Sequence, residues 1–220
     1  MTRNLVVVAL VGCGHVVMPT PGEPEVCDDP TSVASCGESC AVCAASDREF
    51  ATCDGTSCGT ACAFDVCSDN SCARLAWDFG DGTVDGIKIQ VPTDLVLQVR
   101  DHNGAPALAM DVSGVMDVAF SLPICLSGTI DLSTHTLTTT VTFEGPDTTD
   151  DRYFVLLSDP APDNGLFIGN AIMNGNTATP VVGSIGQSTA SATSSTIMVQ
   201  AGTNSPPFNG TIWFDSIQIQ

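Results

Sequence analysis

Basic residues are nearly missing from this 220-residue chain: six Lys and Arg stand against 25 Asp and Glu, and Lys88 is the only lysine. A net charge of −19 excludes nucleic acid, whose phosphates it would repel, and docking on anionic lipid. It suits a solvated surface domain and, loosely, oxygen-ligated cations. Aromatic residues are scarce as well, at 5%, which leaves little material for a broad stacking platform. No apolar run reaches the ~20 residues of a membrane-spanning helix. No stretch holds a 3.6-residue apolar period for three turns, so a helical bundle is excluded too. Neither a G-x-S-x-G elbow nor an H-E-x-x-H pair occurs. Beyond residue 72 the only glutamate is Glu144, which argues against the two placed carboxylates of a glycosidase. His102 and His135 fall in turn clusters, where surface histidines are expected. A non-enzymatic protein is the expectation.

Cysteine, by contrast, is abundant: eleven in all, nine of them between Cys27 and Cys72. That content is foreign to a reducing cytosol. At the N-terminus Arg3 precedes an apolar run, Leu5 to Val11, shorter than most export-signal cores, and Leu10-Val11-Gly12-Cys13 follows. This order resembles the lipobox of bacterial lipoproteins. The resemblance implies cleavage after residue 12, a diacylglyceryl group on Cys13, and membrane attachment through that lipid anchor only. Gly14 rather than Asp follows the cysteine, which points to the outer membrane or cell surface. Residues 13–26, with Pro19, Pro21 and Pro24, read as a lipidated flexible tether.

Residues 27–72 read as a small, loop-dominated module. Its large apolar residues are few (Val33, Val42, Phe50, Phe64, Val66), too few for a hydrophobic core. Disulfides among Cys27, Cys36, Cys40, Cys43, Cys53, Cys58, Cys62, Cys67 and Cys72 are the expected staple. Zinc is the competing reading, because Cys40 and Cys43 form a C-x2-C pair, but no second pair follows at zinc-finger spacing. Parity gives Cys125 a partner here, Cys72 or Cys67, against the alternative of a buried free thiol. The run Cys36-Gly37-x2-Cys40-x2-Cys43, Cys53-Asp54-Gly55 and Cys58-Gly59-x2-Cys62 resembles a short Cys-rich repeat of secreted bacterial surface lipoproteins. That resemblance implies a spacer.

From residue 73 the composition turns to Thr, Ser, Gly and β-branched residues. Alternation recurs at 95–99, 136–143, 153–157 and 211–219, separated by turn clusters such as Asp101-His102-Asn103-Gly104 and Glu144-Gly145-Pro146-Asp147. Short strands at this spacing predict an all-β sandwich over residues 73–220.

Trp77-Asp78-Phe79-Gly80-Asp81-Gly82 resembles the signature of PKD domains, but the His-x-Tyr and Gly-x-Tyr-x-Val that follow it in that family are missing. A longer resemblance runs through Phe79-Gly80-Asp81-Gly82-Thr83, Ala107–Val112, Leu132–Phe143 and Phe208-x-Gly210-Thr211-Ile212-Trp213-Phe214-Asp215-Ser216-Ile217. It is to the galactose-binding-like jelly rolls that form many carbohydrate-binding modules. The resemblance implies a jelly-roll β-sandwich, a glycan as partner, and a structural Ca²⁺ held by Asp78, Asp81 and Asp215. Turn-capping by these aspartates is the alternative. Trp213 is expected to cover an edge of the sandwich; a ligand would be met by loop Asp, Asn and Arg, with Arg100 and Arg152 the only arginines beyond Arg74 and no contact assigned. The function expected is a non-enzymatic cell-surface lipoprotein binding carbohydrate. A structural or adhesive protein that touches other proteins is the alternative, and a hydrolase with an unrecognised Asp pair comes third.

Overall fold

A computed structural model describes residues 29–146, 152–159, 166–174, 177–185, 193–204 and 207–220. The signal peptide, the tether, Cys13 and Cys27 lie outside the described residues. Every named element is a strand: β1 (Glu49–Cys53), β2 (Cys58–Cys62), β3 (Ala76–Trp77), β4 (Lys88–Val91), β5 (Leu97–His102), β6 (Ala105–Val115), β7 (Asp117–Pro123), β8 (Ile130–Asp131), β9 (Thr136–Glu144), β10 (Arg152–Asp159), β11 (Leu166–Asn174), β12 (Thr179–Ser184), β13 (Thr193–Ser194), β14 (Thr196–Thr203) and β15 (Phe208–Ile219).

The chain divides into two compact units. The smaller takes residues up to Cys43 together with Thr52–Gly59; the larger takes Ala44–Ala51 and Thr60–Gln220. In the smaller unit two disulfides, Cys36–Cys53 and Cys43–Cys58, do the work of a core. Cys40 is disulfide-bonded as well. The sulfurs of Cys36, Cys43 and Cys58 lie within 4.8 Å of one another, yet cystine sulfur is not the thiolate that a metal requires. Gly37 is fixed by its surroundings: its φ is +68°, and a Cβ there would lie 2.4 Å from the Thr56 carbonyl oxygen.

The larger unit is an antiparallel sandwich. One sheet runs β11-β10-β14-β7-β4 and the other β12-β9-β15-β6-β5, with β3 pairing on β15. The chain changes sheet at β3–β4, β4–β5, β6–β7, β7–β9, β9–β10, β11–β12, β12–β14 and β14–β15, with β8 and β13 pairing apart as a two-stranded sheet, the winding of a jelly roll. Alternation drives it. Leu108, Met110 and Val112 on β6, Leu137, Val141 and Phe143 on β9, and Ile212 and Phe214 on β15 all point into one buried cluster. Phe120 and Leu122 on β7 and Ile197 and Val199 on β14 meet them from the opposite sheet, with Phe120 edge-on to Phe214 at 4.9 Å. Trp77 and Phe79 are fully buried in the same cluster. Two disulfides lie within this unit, Cys62–Cys72 and Cys67–Cys125.

Candidate functional site

Period-two alternation that buries one side of a sheet must present the intervening residues on the other. On the β12-β9-β15-β6-β5 sheet these are Gln98, Arg100 and His102 of β5, Ala107, Ala109 and Asp111 of β6, Thr211, Trp213 and Asp215 of β15, and Thr142 and Glu144 of β9. Register confirms the neighbourhood: Trp213 stands opposite Ala109 on one side and Thr142 on the other. The two alanines and Trp213 form a second small apolar cluster, separate from the core. Small side chains on β6 leave room for the indole to lie down over them.

Trp213 sits at the centre of the arrangement. His102 stacks on it, ring centroids 4.6 Å apart and planes 9° from parallel. The Arg100 guanidinium carbon lies 4.9 Å from the ring centroid, within cation–π range. The indole Nε1 donates to Glu144 Oε2 at 2.8 Å. His102 Nδ1 meets Asp215 Oδ1 at 3.0 Å, and its Nε2 lies 3.8 Å from Glu144 Oε1. Arg100 Nη2 donates to Asp111 Oδ1 at 2.6 Å, and Thr211 Oγ1 donates to that oxygen at 2.7 Å. The Arg100 bond first, and the Thr211 bond second, hold the Asp111 carboxyl below the ordinary carboxylate range. Trp213 is 8% exposed, whereas the side chains of Asp111, Glu144, Asp215 and Arg100 are 59, 51, 38 and 36% exposed. The indole is therefore an anchor beneath a polar surface. It is not a bare platform.

Local backbone features set these groups. The β5–β6 turn is Asn103-Gly104, with φ of +57° and +89°, the positive values that a two-residue hairpin needs. It lets β5 run on through His102. On β15 the register slips between Phe214 and Ile217, so that Asp215 and Ser216 together face Thr140. A bulge of this kind re-aims a side chain, here Asp215 onto His102. A Cβ on Gly210 would collide with the Glu144 carbonyl, so only glycine lets β15 come that close to the end of β9.

Two expectations are corrected. His102 is a buried strand-end residue, because the strand outlasts the apparent turn; it is not a surface histidine. Trp213 lies on a strand flanked by β9 and β6, not at an edge. Arg100 lies within β5, and Arg152 opens β10. His102, Glu144 and Asp111 went unnoticed as site residues.

The structure does not bring Asp78, Asp81 and Asp215 together. Among the described residues no group of three acidic side chains has its oxygens within 4.8 Å of one another. Asp78 Oδ1 accepts from Gly80 N at 3.0 Å, and Asp81 Oδ1 accepts from Thr83 N and Oγ1 at 2.8 and 2.9 Å. Both cap their own turn. With Asp47 and Asp85 they line a recess of about 430 Å³, but the cation set among them is Arg74, 2.6 Å from Asp47 and 2.5 Å from Asp85. These residues therefore do not supply the converging oxygens that a calcium joining the first and last strands would need.

No family model and no curated protein matches the sequence. Solved structures do resemble the fold. A carbohydrate-binding module of family 28, specific for non-crystalline cellulose, superposes with a TM-score of 0.51 at 13% identity, covering 64% of this chain and 90% of the module. A CBM22 xylan-binding domain from Paenibacillus barcinonensis gives 0.43 at 12%, covering 66% of this chain and 98% of the domain. A Clostridium thermocellum xylanase chain, with CBM22 and GH10 modules, gives 0.44 at 14%, covering 67% of this chain. This chain spans only 28% of that xylanase. At such identities the likeness is one of fold: the sandwich is a jelly roll of the kind seen in carbohydrate-binding modules.

Proposed function

We propose that the sandwich is a non-catalytic domain that binds a neutral glycan across the outer face of the β12-β9-β15-β6-β5 sheet. The observation that carries this reading is the convergence of Arg100, Asp111, Glu144 and Asp215, half-exposed and each tied to the Trp213–His102 pair or its neighbours. A sugar hydroxyl both donates and accepts, and this face offers charged acceptors beside a charged donor in fixed positions. Preorganisation lowers the entropy cost of binding. Three carboxylates against one arginine disfavour an anionic polymer. Glu144 and Asp215 are each committed to holding a ring, which assigns them to recognition and not to acid–base chemistry. The fold's likeness to carbohydrate-binding modules supports the same reading.

The test is isothermal titration of the full chain with soluble xylan and hydroxyethylcellulose, in the native form and as Arg100→Ala and Glu144→Gln. Each substitution is expected to lower affinity about fivefold, about 1 kcal/mol. Absence of binding to every neutral glycan tried would sink the proposal. Release of reducing ends from either polymer would overturn its non-catalytic half. We further propose that the domain is tethered by a lipid on Cys13 at the outer membrane or cell surface. Mass spectrometry of the membrane-extracted protein checks this, and an unmodified Cys13 refutes it.

A further inference from the structure

The scarcity of cations makes each of them informative. Among the described residues Arg74 is paired with Asp47 and Asp85, and Arg100 with Asp111. Arg48 and Lys88 form no ion pair, and both line the same cavity, of about 450 Å³. That volume lies in the range of small-molecule sites, ~300–1,000 Å³. The cavity lies away from the Trp213 face. It is bounded by the start of β4, the end of β7, the Leu126–Gly128 loop and Ser195–Thr196.

Arg48 is the unusual member. It is 6% exposed, and a buried guanidinium without a carboxylate is costly. Its partners are backbone carbonyls only: Nη1 donates to Ile124 O at 3.1 Å and to Cys72 O at 3.4 Å, and Nη2 to Pro123 O at 3.4 Å. These contacts use three of its five N–H donors. Burial first, and the nearby Arg74 charge second, push its pKa down; an adjacent anion would relieve both effects. Asp85, the acid that also lines the cavity, is already committed: Oδ2 to Arg74 at 2.5 Å and Oδ1 to Thr83 Oγ1 at 2.8 Å. Leu126, Ser127, Ser195 and Thr196 complete the lining.

We infer that this cavity is a second binding site, which takes a small ligand through a single carboxylate held by Arg48 and Lys88. A guanidinium fork with two spare donors matches a carboxylate, and Lys88 adds a mobile second charge from the rim. A dianion such as phosphate would fit worse, because Asp85 lines the site and the whole chain carries −19. Ser127, Ser195 and Thr196 make the lining polar, which suits a hydroxylated carbon skeleton, so the class is a hydroxy acid of sugar size or smaller.

The experiment is titration of the full chain, in low-salt buffer that limits screening, with glucuronate, acetate, inorganic phosphate and glucose. Glucuronate is expected to bind and glucose not. Lys88→Gln should weaken glucuronate at least fivefold, and Lys88→Glu should abolish it. Lys88 is exposed, so neither variant endangers the fold. Arg48→Lys, if folded by circular dichroism, should abolish binding as well. Acetate is expected to bind more weakly, and acetate binding as tightly as glucuronate would overturn the hydroxy-acid class. Phosphate binding tighter than glucuronate, glucose binding equally well, or an unchanged Lys88→Glu variant would each overturn the inference. Arg100→Ala, which alters only the Trp213 face, is titrated beside the Lys88 variants: glucuronate binding lost in Lys88→Glu but kept in Arg100→Ala belongs to this cavity, so failure of xylan binding and failure of this site are separate results.

Discussion

Removing the Cys67–Cys125 bond by double substitution to alanine tests how this sandwich is stabilised. The bond spans 58 residues of sequence, whereas Cys62–Cys72 spans ten. Loop-closure entropy scales with the logarithm of that span, which gives about 4 kcal/mol for the long loop and about 2.7 kcal/mol for the short one at 25 °C. The native positions do not depend on the bond alone. Arg74 N donates to Ile124 O at 2.7 Å, Ile124 N donates to Ser195 O at 2.9 Å, and Arg48 holds the same stretch. The loss therefore falls mainly on the unfolded chain, which gains freedom. Urea unfolding at 25 °C should show a lower midpoint for both double variants, with the Cys67–Cys125 pair losing about 1.5 kcal/mol more. Against a typical total of 5–15 kcal/mol, the long bond is a large share. Equal losses for the two pairs, or a larger loss for the short one, would refute the loop-length reasoning.

Gly210→Ala should cost about 1–3 kcal/mol, since it combines a positive φ with a clash against the Glu144 carbonyl, and should weaken glycan binding by displacing Glu144. An unchanged melting temperature and affinity would count against that role. Asp111→Asn tests the pH dependence. A carboxyl whose folded pKa is lowered contributes stability above its unfolded value near 3.9 and loses it as pH falls through the folded value. The difference in unfolding free energy between native and variant chains should hence be constant above about pH 5 and shrink below about pH 4; a difference that grows on acidification would contradict the Arg100–Asp111 geometry. EDTA should leave the melting temperature unchanged, because Arg74 and the Asx turns already engage the aspartates that a calcium would share. A marked drop in EDTA would show that a bound cation rearranges them.

Much of the β-architecture was readable in residues. The alternations at 136–143, 153–157 and 211–219 lie in β9, β10 and β15, and that at 95–99 overlaps β5 from Leu97 on; Asn103-Gly104 formed the hairpin that the dipeptide foretells. Cys67, one of the two partners foreseen for Cys125, is the one that it meets. The candidate site was harder for a definite reason. His102 and Glu144 are the last residues of their strands and sit in clusters that read as turns, so their side-chain direction was lost. Extending the alternation by three residues beyond 99 would have placed His102 on the side of Arg100, and by one beyond 143 would have placed Glu144 on that of Thr142. Even then, the meeting of His102 with Asp215, 113 residues apart, and of Trp213 with Glu144, 69 apart, depends on strand order. Local pattern does not encode it. Composition also sets a boundary at residue 72, whereas compactness divides the chain at 43/44, 51/52 and 59/60.

Few aromatics argued in the sequence against a stacking platform, and the geometry gives that scarcity a consequence for affinity. One indole, 8% exposed and already stacked on His102, leaves little ring face for a sugar. Binding must then come from hydrogen bonds to Arg100, Asp111, Glu144 and Asp215. Each net bond exchanged with water contributes about 0.5–1.5 kcal/mol. Four of them sum to about 4 kcal/mol at the middle of that range, a Kd near 1 mM. The binding should be enthalpy-led, with a small heat-capacity change, because little apolar surface is covered. Calorimetry with xylan at several temperatures measures both quantities. A submicromolar Kd with a large negative heat-capacity change would mean that Trp213 uncovers on binding, and would refute the indole's role as a buried anchor.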